Sequence, residues 1–454
     1  MIPLAAAGIL LAWASSGTAP FRDAILGAAA PSDFATDFVP AARLWRGTSA
    51  PVDVETGNAE AARLGAPRYA DVGVPFGAHP PPAVLLVAAL VPLGFRAAAL
   101  GWLLLSLGCL GVVAWVAADH LTREPRRVAT GVFLFLALAL WPPVLHNIEK
   151  GQWSLIVAGL LAGAWWATTR GHHRLAGALI AIAGSFKVMP FLVLPALLCN
   201  GRWRRVAAGA GGALALTIAA SVAVVGWQAW PEFIRSAPIN TAGWQTGPAN
   251  TLSIWGALSR LLVGGAFAQP LSGGAQAASV ARVLWVLVAV GLVGVALRLT
   301  LRGASPAPVD RSSPSMGRSL ELRVDARPQA SVFAAWTVLA VVLGPLSWSH
   351  AAIELALPVA LLARSLRDQE GENRFAPRLA GVLGLAVMGL TIPRVTLFAL
   401  AGPLPVMPGR GLALGIHLGA ALAIFIVAVL ITRRSERNWR LSRPPPPSVP
   451  DGKS

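Results

Sequence analysis

The chain has 454 residues, 55% of them hydrophobic and 13% charged, with a formal net charge of +17 and a mean hydropathy of +0.63. That balance excludes an ordinary soluble domain and points to a chain that crosses a membrane many times. The positive charge does not speak for nucleic acid: it is carried almost wholly by Arg in short loops between apolar runs, and no basic patch is interleaved with aromatic residues.

The first apolar stretch, Ile2–Ala14, lacks a preceding basic segment and reads as a membrane helix rather than a cleaved signal. A polar stretch over 18–79 follows. Within it, Ser-Asp-Phe-Ala-Thr-Asp-Phe places Asp33 and Asp37 one helical turn apart, hence on one face of a helix. The apolar positions Phe34, Phe38, Ala41, Ala42 and Trp45 predict a short amphipathic helix from Asp33 to Gly47, and Ser32 or Asp33 suits its N-cap. A capping role for Asp33 thus stands beside a chemical one, and a solvated loop charge stands as the plain reading of Asp37. His79 precedes three prolines that stiffen the start of an apolar segment over 80–94.

Further apolar segments fall at 97–118, 128–145, 153–168, 174–186, 189–200, 206–227, 279–299, 331–347, 350–363, 378–400 and 411–431. Between them lie the basic clusters Arg123/Arg126/Arg127, Arg170/Arg174, Arg202/Arg204/Arg205, the stretch 298–329, Arg364 to Arg378, and the tail from Arg433. Placing all of these on the cytoplasmic side satisfies the positive-inside rule and gives about 12 crossings with both termini inside. The same parity makes 80–94 and 254–262 in-plane helices on the outer face. The expected organisation is a membrane module over 1–300 with an outer loop at 18–79 and a surface helix at 80–94. A flexible cytoplasmic linker over 301–329, membrane helices over 330–432 and a disordered tail over 433–454 complete it.

That topology gathers the ionisable groups on one face. Asp33, Asp37, His79, the polar loop His146–Gln152 (with Glu149, Lys150 and Gln152), Lys187 and His350 all fall outside. Ionisable groups at membrane depth are costly and usually functional. The chain has three lysines, and both within its body, Lys150 and Lys187, are on this face against the positive-inside trend, which suggests an anion. Lys187, with Pro190 close behind, splits an apolar run in two, a position suited to phosphate, although snorkelling would also accommodate it. Taken singly, His79 and His350 are also what ordinary interfacial polarity supplies. Cys109 and Cys199 have no CxxC neighbour and indicate neither a disulfide framework nor a metal site. There is no P-loop, strand-borne GxGxxG, GxSxG or HExxH.

These residues resemble the motifs of the GT-C type membrane glycosyltransferases, and specifically of glycosyltransferase family 87, which includes polyprenyl-phosphate-mannose-dependent mannosyltransferases. Asp33-Phe34 with Phe38 and Ala41-Ala42 is similar to the family's first-loop helix, and His79-Pro80-Pro81 to its Tyr-Pro-Pro, here in a His-Pro-Pro form that protein O-mannosyltransferases share. Gly151-Gln152 matches the start of Gly-Gln-x-Asn, with Trp153-Ser154 in place of its usual end. Lys187-Val-Met-Pro190 matches Lys-x-x-Pro, and Pro345-Leu-Ser-Trp-Ser-His350 matches Pro-x-Ser-Trp-x-His.

The resemblance implies an all-α GT-C fold. It also implies inverting transfer of a hexose, mannose foremost, from a polyprenyl-phosphate donor to a lipid or glycan acceptor on the periplasmic face of a bacterial inner membrane, with no cofactor. Asp33 would be the general base, with Asp37 able to share or replace it. Lys187 and His350 would face the phosphate, Gln152 and Glu149 the sugar hydroxyls, and Lys150 and His79 the donor more broadly. The competing reading is a transporter or flippase of lipid-linked sugars, which calls for internal repeats and midplane charges that the sequence lacks. An O-antigen ligase or polymerase calls for a large outer loop near the C-terminus, and 401–410 is too short.

Overall fold

The computed structural model describes residues 31–48, 54–66, 79–122, 124–199, 202–242, 252–263, 275–303, 318–345, 347–369, 375–392 and 415–441. Among them every regular element is helical. The expected first span at 2–17 and the loop 401–410 lie outside the described residues.

Helix α1, Ser32–Trp45, realises the predicted amphipathic segment: Phe34, Phe38, Ala41 and Ala42 are all buried. Two details differ from expectation. The helix is capped by Pro31, so Ser32 and Asp33 are already inside it. Trp45 is exposed and instead staples α1 to the next layer, its Nε1 donating to the carbonyl of Ala88 at 2.6 Å. After α2, Val54–Arg63, His79 and Pro80 lead into α3, Pro81–Ala88, which starts on prolines because a first-turn N–H has no helical partner to lose. The surface helix expected over 80–94 is therefore two turns long, followed by a 3-10 turn at Val91–Leu93. Gly94 then opens α4, Gly94–Leu121.

Helix α5, Arg127–Ala139, and α6, Pro142–Lys150, meet at a 64° bend. The polar stretch expected as an outer loop at His146–Gln152 is thus helical up to Lys150, again initiated by a proline pair. Gly151, with φ +67, ends it in the left-handed region that glycine alone adopts freely. Then follow α7, Ser154–Thr169, and α8, His173–Phe186. Lys187 is extended, and a 3-10 segment at Met189–Val193 leads into α9, Leu194–Leu198. The remaining helices are α10, Trp203–Val225; α11, Ala229–Ala242; α12, Ile254–Leu262; and α13, Ala275–Gly303.

Helix α14, Arg318–Val342, makes the later part of the expected linker helical from Arg318 onwards. A 3-10 segment at Ser349–Leu355 precedes α15, Ala356–Arg367. Helix α16 spans Phe375–Thr391, and α17, Ile416–Leu441, runs into the expected tail.

Five described helices are long and apolar enough to cross a membrane, six if the bent pair α5–α6 is one span. Five more of the expected crossings appear as apolar helices of 10–17 residues, shorter than the roughly 20 residues a straight crossing takes. The chain is a polytopic membrane protein, all-helical in its regular elements among the described residues, where twelve crossings are not established.

Two apolar cores organise the described residues. The larger joins α4, α7, α14, α15 and α17. The smaller wraps α1, α3 and the start of α4 around Trp153 and Phe186. Within it Phe34 stacks tilted on Trp102 at 5.2 Å and Phe38 meets Phe95 edge-on at 5.3 Å. Trp102 meets Trp153 edge-on at 4.6 Å. These are offset and edge-to-face arrangements that aromatic quadrupoles favour. The result is an apolar floor beneath Phe34 and Phe38, each the chain neighbour of one of the two carboxylates Asp33 and Asp37.

Candidate active site

The site is built around the turn between α6 and α7. Because Gly151 has no side chain, α6 can end against α1: a Cβ there would lie 2.7 Å from that of Phe34 and 2.8 Å from that of Pro31. Trp102 clamps the turn by donating Nε1 to the Gly151 carbonyl at 3.0 Å. The three residues that follow each reach a charged side chain of another segment.

Gln152 donates through Nε2 to Oδ2 of Asp33, and Ser32 donates its hydroxyl to Oδ1 of the same carboxylate at 2.9 Å. Asp33 is partly buried over the aromatic floor. Loss of water around it pushes its carboxyl up to about 6, against the opposing pull of the Ser32 hydrogen bond and the charges of Lys150 and His79.

Trp153 donates its indole N–H to Oδ2 of Asp37 at 2.8 Å. Nδ1 of His79 lies 3.1 Å from Oδ1 and 3.0 Å from Oδ2 of that carboxylate, and the imidazole packs on the Trp153 ring at 5.7 Å. Asp37 is 1% exposed. Although it is one turn from Asp33, its carboxylate is enclosed by these two partners.

Ser154 accepts a hydrogen bond from Nζ of Lys187 at 2.9 Å, and the same ammonium donates to Oε1 of Glu354 at 3.3 Å. Glu354 is buried on the 3-10 segment, one turn after His350. His350 is itself buried; its ring lies 5.5 Å from that of His146 and 5.6 Å from that of Trp348. Next to it, Ser349 shares a hydrogen bond with Nδ1 of His146 at 3.1 Å.

The structure therefore brings Asp33, Gln152, Asp37 and His79 together, with Lys150 close enough for its charge to act on Asp33. Lys187 joins through Ser154 and His350 through the segment that carries Glu354. Glu149 stands apart: it pairs with its neighbour Lys150 at 3.0 Å and its side chain is 42% exposed.

Three partners were not anticipated from sequence. Trp153 and Ser154 were seen only as departures from a motif. Glu354 lay unremarked within an apolar run counted as a span, where a lone carboxylate is itself a signal. Among the described residues no group of three or more His, Cys, Asp or Glu side chains gathers as a metal site would need.

Comparison with known proteins adds one match. The family model for glycosyltransferase family 87 matches residues 78–313, just over half the chain, a stretch that includes His79, Gln152 and Lys187. No curated protein and no solved structure matches.

Proposed function

The chain belongs to glycosyltransferase family 87 and is a membrane glycosyltransferase, and on that premise we propose that it moves a hexose, mannose foremost, from a polyprenyl-phosphate donor to a lipid or glycan acceptor at the outer face of a bacterial inner membrane, with both termini cytoplasmic. The observation that carries this reading is Asp33: a carboxylate fixed from both sides by Ser32 and Gln152, in surroundings that raise its basicity. A general base works best with a pKa near the working pH, and burial moves Asp33 in that direction.

In this reading the acceptor hydroxyl gives its proton to Asp33 as its oxygen attacks the anomeric carbon. The new glycosidic C–O bond forms while the bond from that carbon to the phosphate oxygen breaks. The electron pair leaves with polyprenyl phosphate, and the anomeric configuration inverts. Charge grows on the departing phosphate, so the protein's remaining task is to offer cations and donors there. Lys187 and His350 take that part. Gln152 keeps its carbonyl oxygen for a sugar hydroxyl while its amide nitrogen holds Asp33; Lys150 and the more exposed Glu149 lie at the rim. The family speaks for transfer rather than for a transporter or flippase.

The test is transfer of label from radiolabelled polyprenyl-phosphate mannose to the host's extracted lipids by the purified protein. Asp33→Asn is expected to lower the rate about 10²–10⁴-fold while donor binding persists. Undiminished transfer by that variant, or transfer from a nucleotide sugar with no lipid carrier, overturns the reading.

A further inference from the structure

We propose that a small cavity beside the base, walled by Asn147 and Ser106, is a subsite for one hydroxyl-bearing arm of a substrate, and that the Asn147 carboxamide reads that hydroxyl. The inference rests on the reading of the chain as a transferase with Asp33 as its base, and it gives a role to a residue that reading leaves unused.

Asn147 sits in the last turn of α6 and is 1% exposed. Neither its amide nitrogen Nδ2 nor its oxygen Oδ1 meets a hydrogen-bond partner among the described residues. A buried amide costs free energy unless its donors and acceptor are satisfied, and polar groups at membrane depth are costlier still. The backbone does not share the deficit, since the Asn147 carbonyl accepts from the Gln152 N–H at 3.0 Å. An apolar side chain of similar volume would fill the same place without that cost.

Asn147 lines a cavity of about 20 Å³, which Pro31, Gly151, Trp102 and Ser106 also wall. Trp102 and Ser106 lie one turn apart on one side of α4, and Ser106 is 3% exposed. The other polar groups nearby are committed. Trp102 Nε1 donates to the Gly151 carbonyl, and the Gly151 N–H donates to the carbonyl of Ile148 at 3.2 Å. That leaves Asn147 and Ser106 to meet a ligand.

Size fixes the class of that ligand. One water needs about 10–15 Å³, so the cavity admits a hydroxyl or a hydroxymethyl arm and not a sugar ring. A carboxamide has two N–H donors and a carbonyl acceptor, so it can give to and accept from hydroxyl groups. Position ties the cavity to the reaction. Pro31 stands two residues before Asp33, and Gly151 one before Gln152, whose amide holds that carboxylate. Consecutive Cα atoms are about 3.8 Å apart, so one substrate can touch the base and the cavity together. Both substrates carry hydroxyls, the donor on its sugar and the acceptor on its headgroup or glycan.

The experiment compares wild type, Asn147→Leu and Ser106→Ala as purified proteins. The donor arm uses polyprenyl-phosphate mannose and its monodeoxy forms; the acceptor arm titrates the host's extracted lipids. If the subsite reads a donor hydroxyl, wild type is expected to prefer the intact donor over one deoxy form by at least about tenfold in kcat/KM, and both variants to flatten that ratio. If it reads an acceptor hydroxyl, the donor ratios stay as they are and KM for the extracted lipids rises by a similar factor in both variants. A merely structural loss lowers kcat for every donor alike and moves neither measure. The rise in melting temperature on adding donor or extracted lipids gives the same comparison without turnover, and is expected to be smaller in the variants.

Ratios, KM values and melting shifts that match wild type in both variants overturn the proposal and make the cavity a place for water only. Should Asn147→Leu fail to fold, Ser106→Ala decides by the same measures. Transfer that survives Asp33→Asn overturns the base assignment instead and leaves the melting shifts to decide the subsite, so the two failures are distinguishable.

Discussion

The indole of Trp153 donates to Asp37 across 2.8 Å, and this bond ties the start of α7 to the middle of α1. It is one of three adjacent ties: Gln152 holds Asp33, Trp153 holds Asp37, and Ser154 holds Lys187. Consecutive residues at a helix start point in different directions, so a single turn can reach three partners on different elements. Trp153→Phe keeps an aromatic ring against Trp102, Phe186 and His79 but deletes the donor. A hydrogen bond to a charged group contributes about 1.5–3 kcal/mol, so the variant is expected to unfold at a lower temperature in detergent and to transfer more slowly. An unchanged melting temperature would show that Asp37 has found another donor.

The carboxyl of Asp33, pushed up to about 6 by burial, sets both a rate and a stability. As a base it acts only when ionised, so kcat/KM is expected to fall about tenfold per pH unit below 6. The stability effect has the opposite sense. A carboxyl that titrates higher in the fold than in the unfolded chain favours the fold when protonated; the cost of ionising it grows between about pH 4 and 6 and is complete above 6. That cost is at most about 3 kcal/mol. Asp33→Asn is therefore expected to transfer about 10²–10⁴-fold more slowly yet to be at least as stable as wild type at pH 7.5, with any gain vanishing near pH 4. A variant that melts well below wild type at pH 7.5 would count against this balance.

What could be read from the sequence follows from what periodicity encodes. The alternation of Phe34, Phe38, Ala41 and Ala42 with polar residues has a helical period, and α1 appears where that period runs. The prolines at 80–82 mark the start of α3 for the same local reason. The stretch from His146 has the polarity of a loop, yet the proline pair at 142–143 starts a helix that carries it. Trp153 and Glu354 were missed for a different reason. Whether an indole N–H or a buried carboxylate finds a partner depends on which helices lie opposite, and that is a property of the packing. Asp37 looked interchangeable with Asp33 for the same reason: one face of one helix says nothing about His79 and Trp153 closing over it.

Gly151 tests how closely α6 must approach α1. In Gly151→Ala the backbone at φ +67 costs about 1–2 kcal/mol by itself, and the new methyl group meets Pro31 and Phe34. Gly171 is the control: its φ is +79, but a Cβ there would meet nothing within 4 Å. Gly171→Ala is expected to show the backbone cost alone. Gly151→Ala is expected to melt lower still and to lose transfer, because displacing α1 opens the bond between Gln152 and Asp33. Equal behaviour of the two variants would mean that the contact yields without moving the base.

The pair formed by Lys187 and Glu354 separates a structural need from a chemical one. The Glu354 side chain is 5% exposed and that of Lys187 23%. Lys187→Met would leave a buried carboxylate without its cation, a change that typically costs about 3–5 kcal/mol. Its loss of activity alone would therefore say little about phosphate. Lys187→Met/Glu354→Gln removes both charges, and neutral replacement of a buried pair is often tolerated, so the double variant is expected to recover most of the lost stability. If Lys187 serves the departing phosphate, transfer stays low in that stable double variant, and donor affinity falls with it. Glu354→Gln gives the converse result: the ammonium keeps its bond to Ser154, loses its competing anion, and is expected to bind the donor at least as tightly as wild type. Recovery of transfer together with stability in the double variant would make the lysine a structural partner of Glu354 and leave the phosphate side to His350.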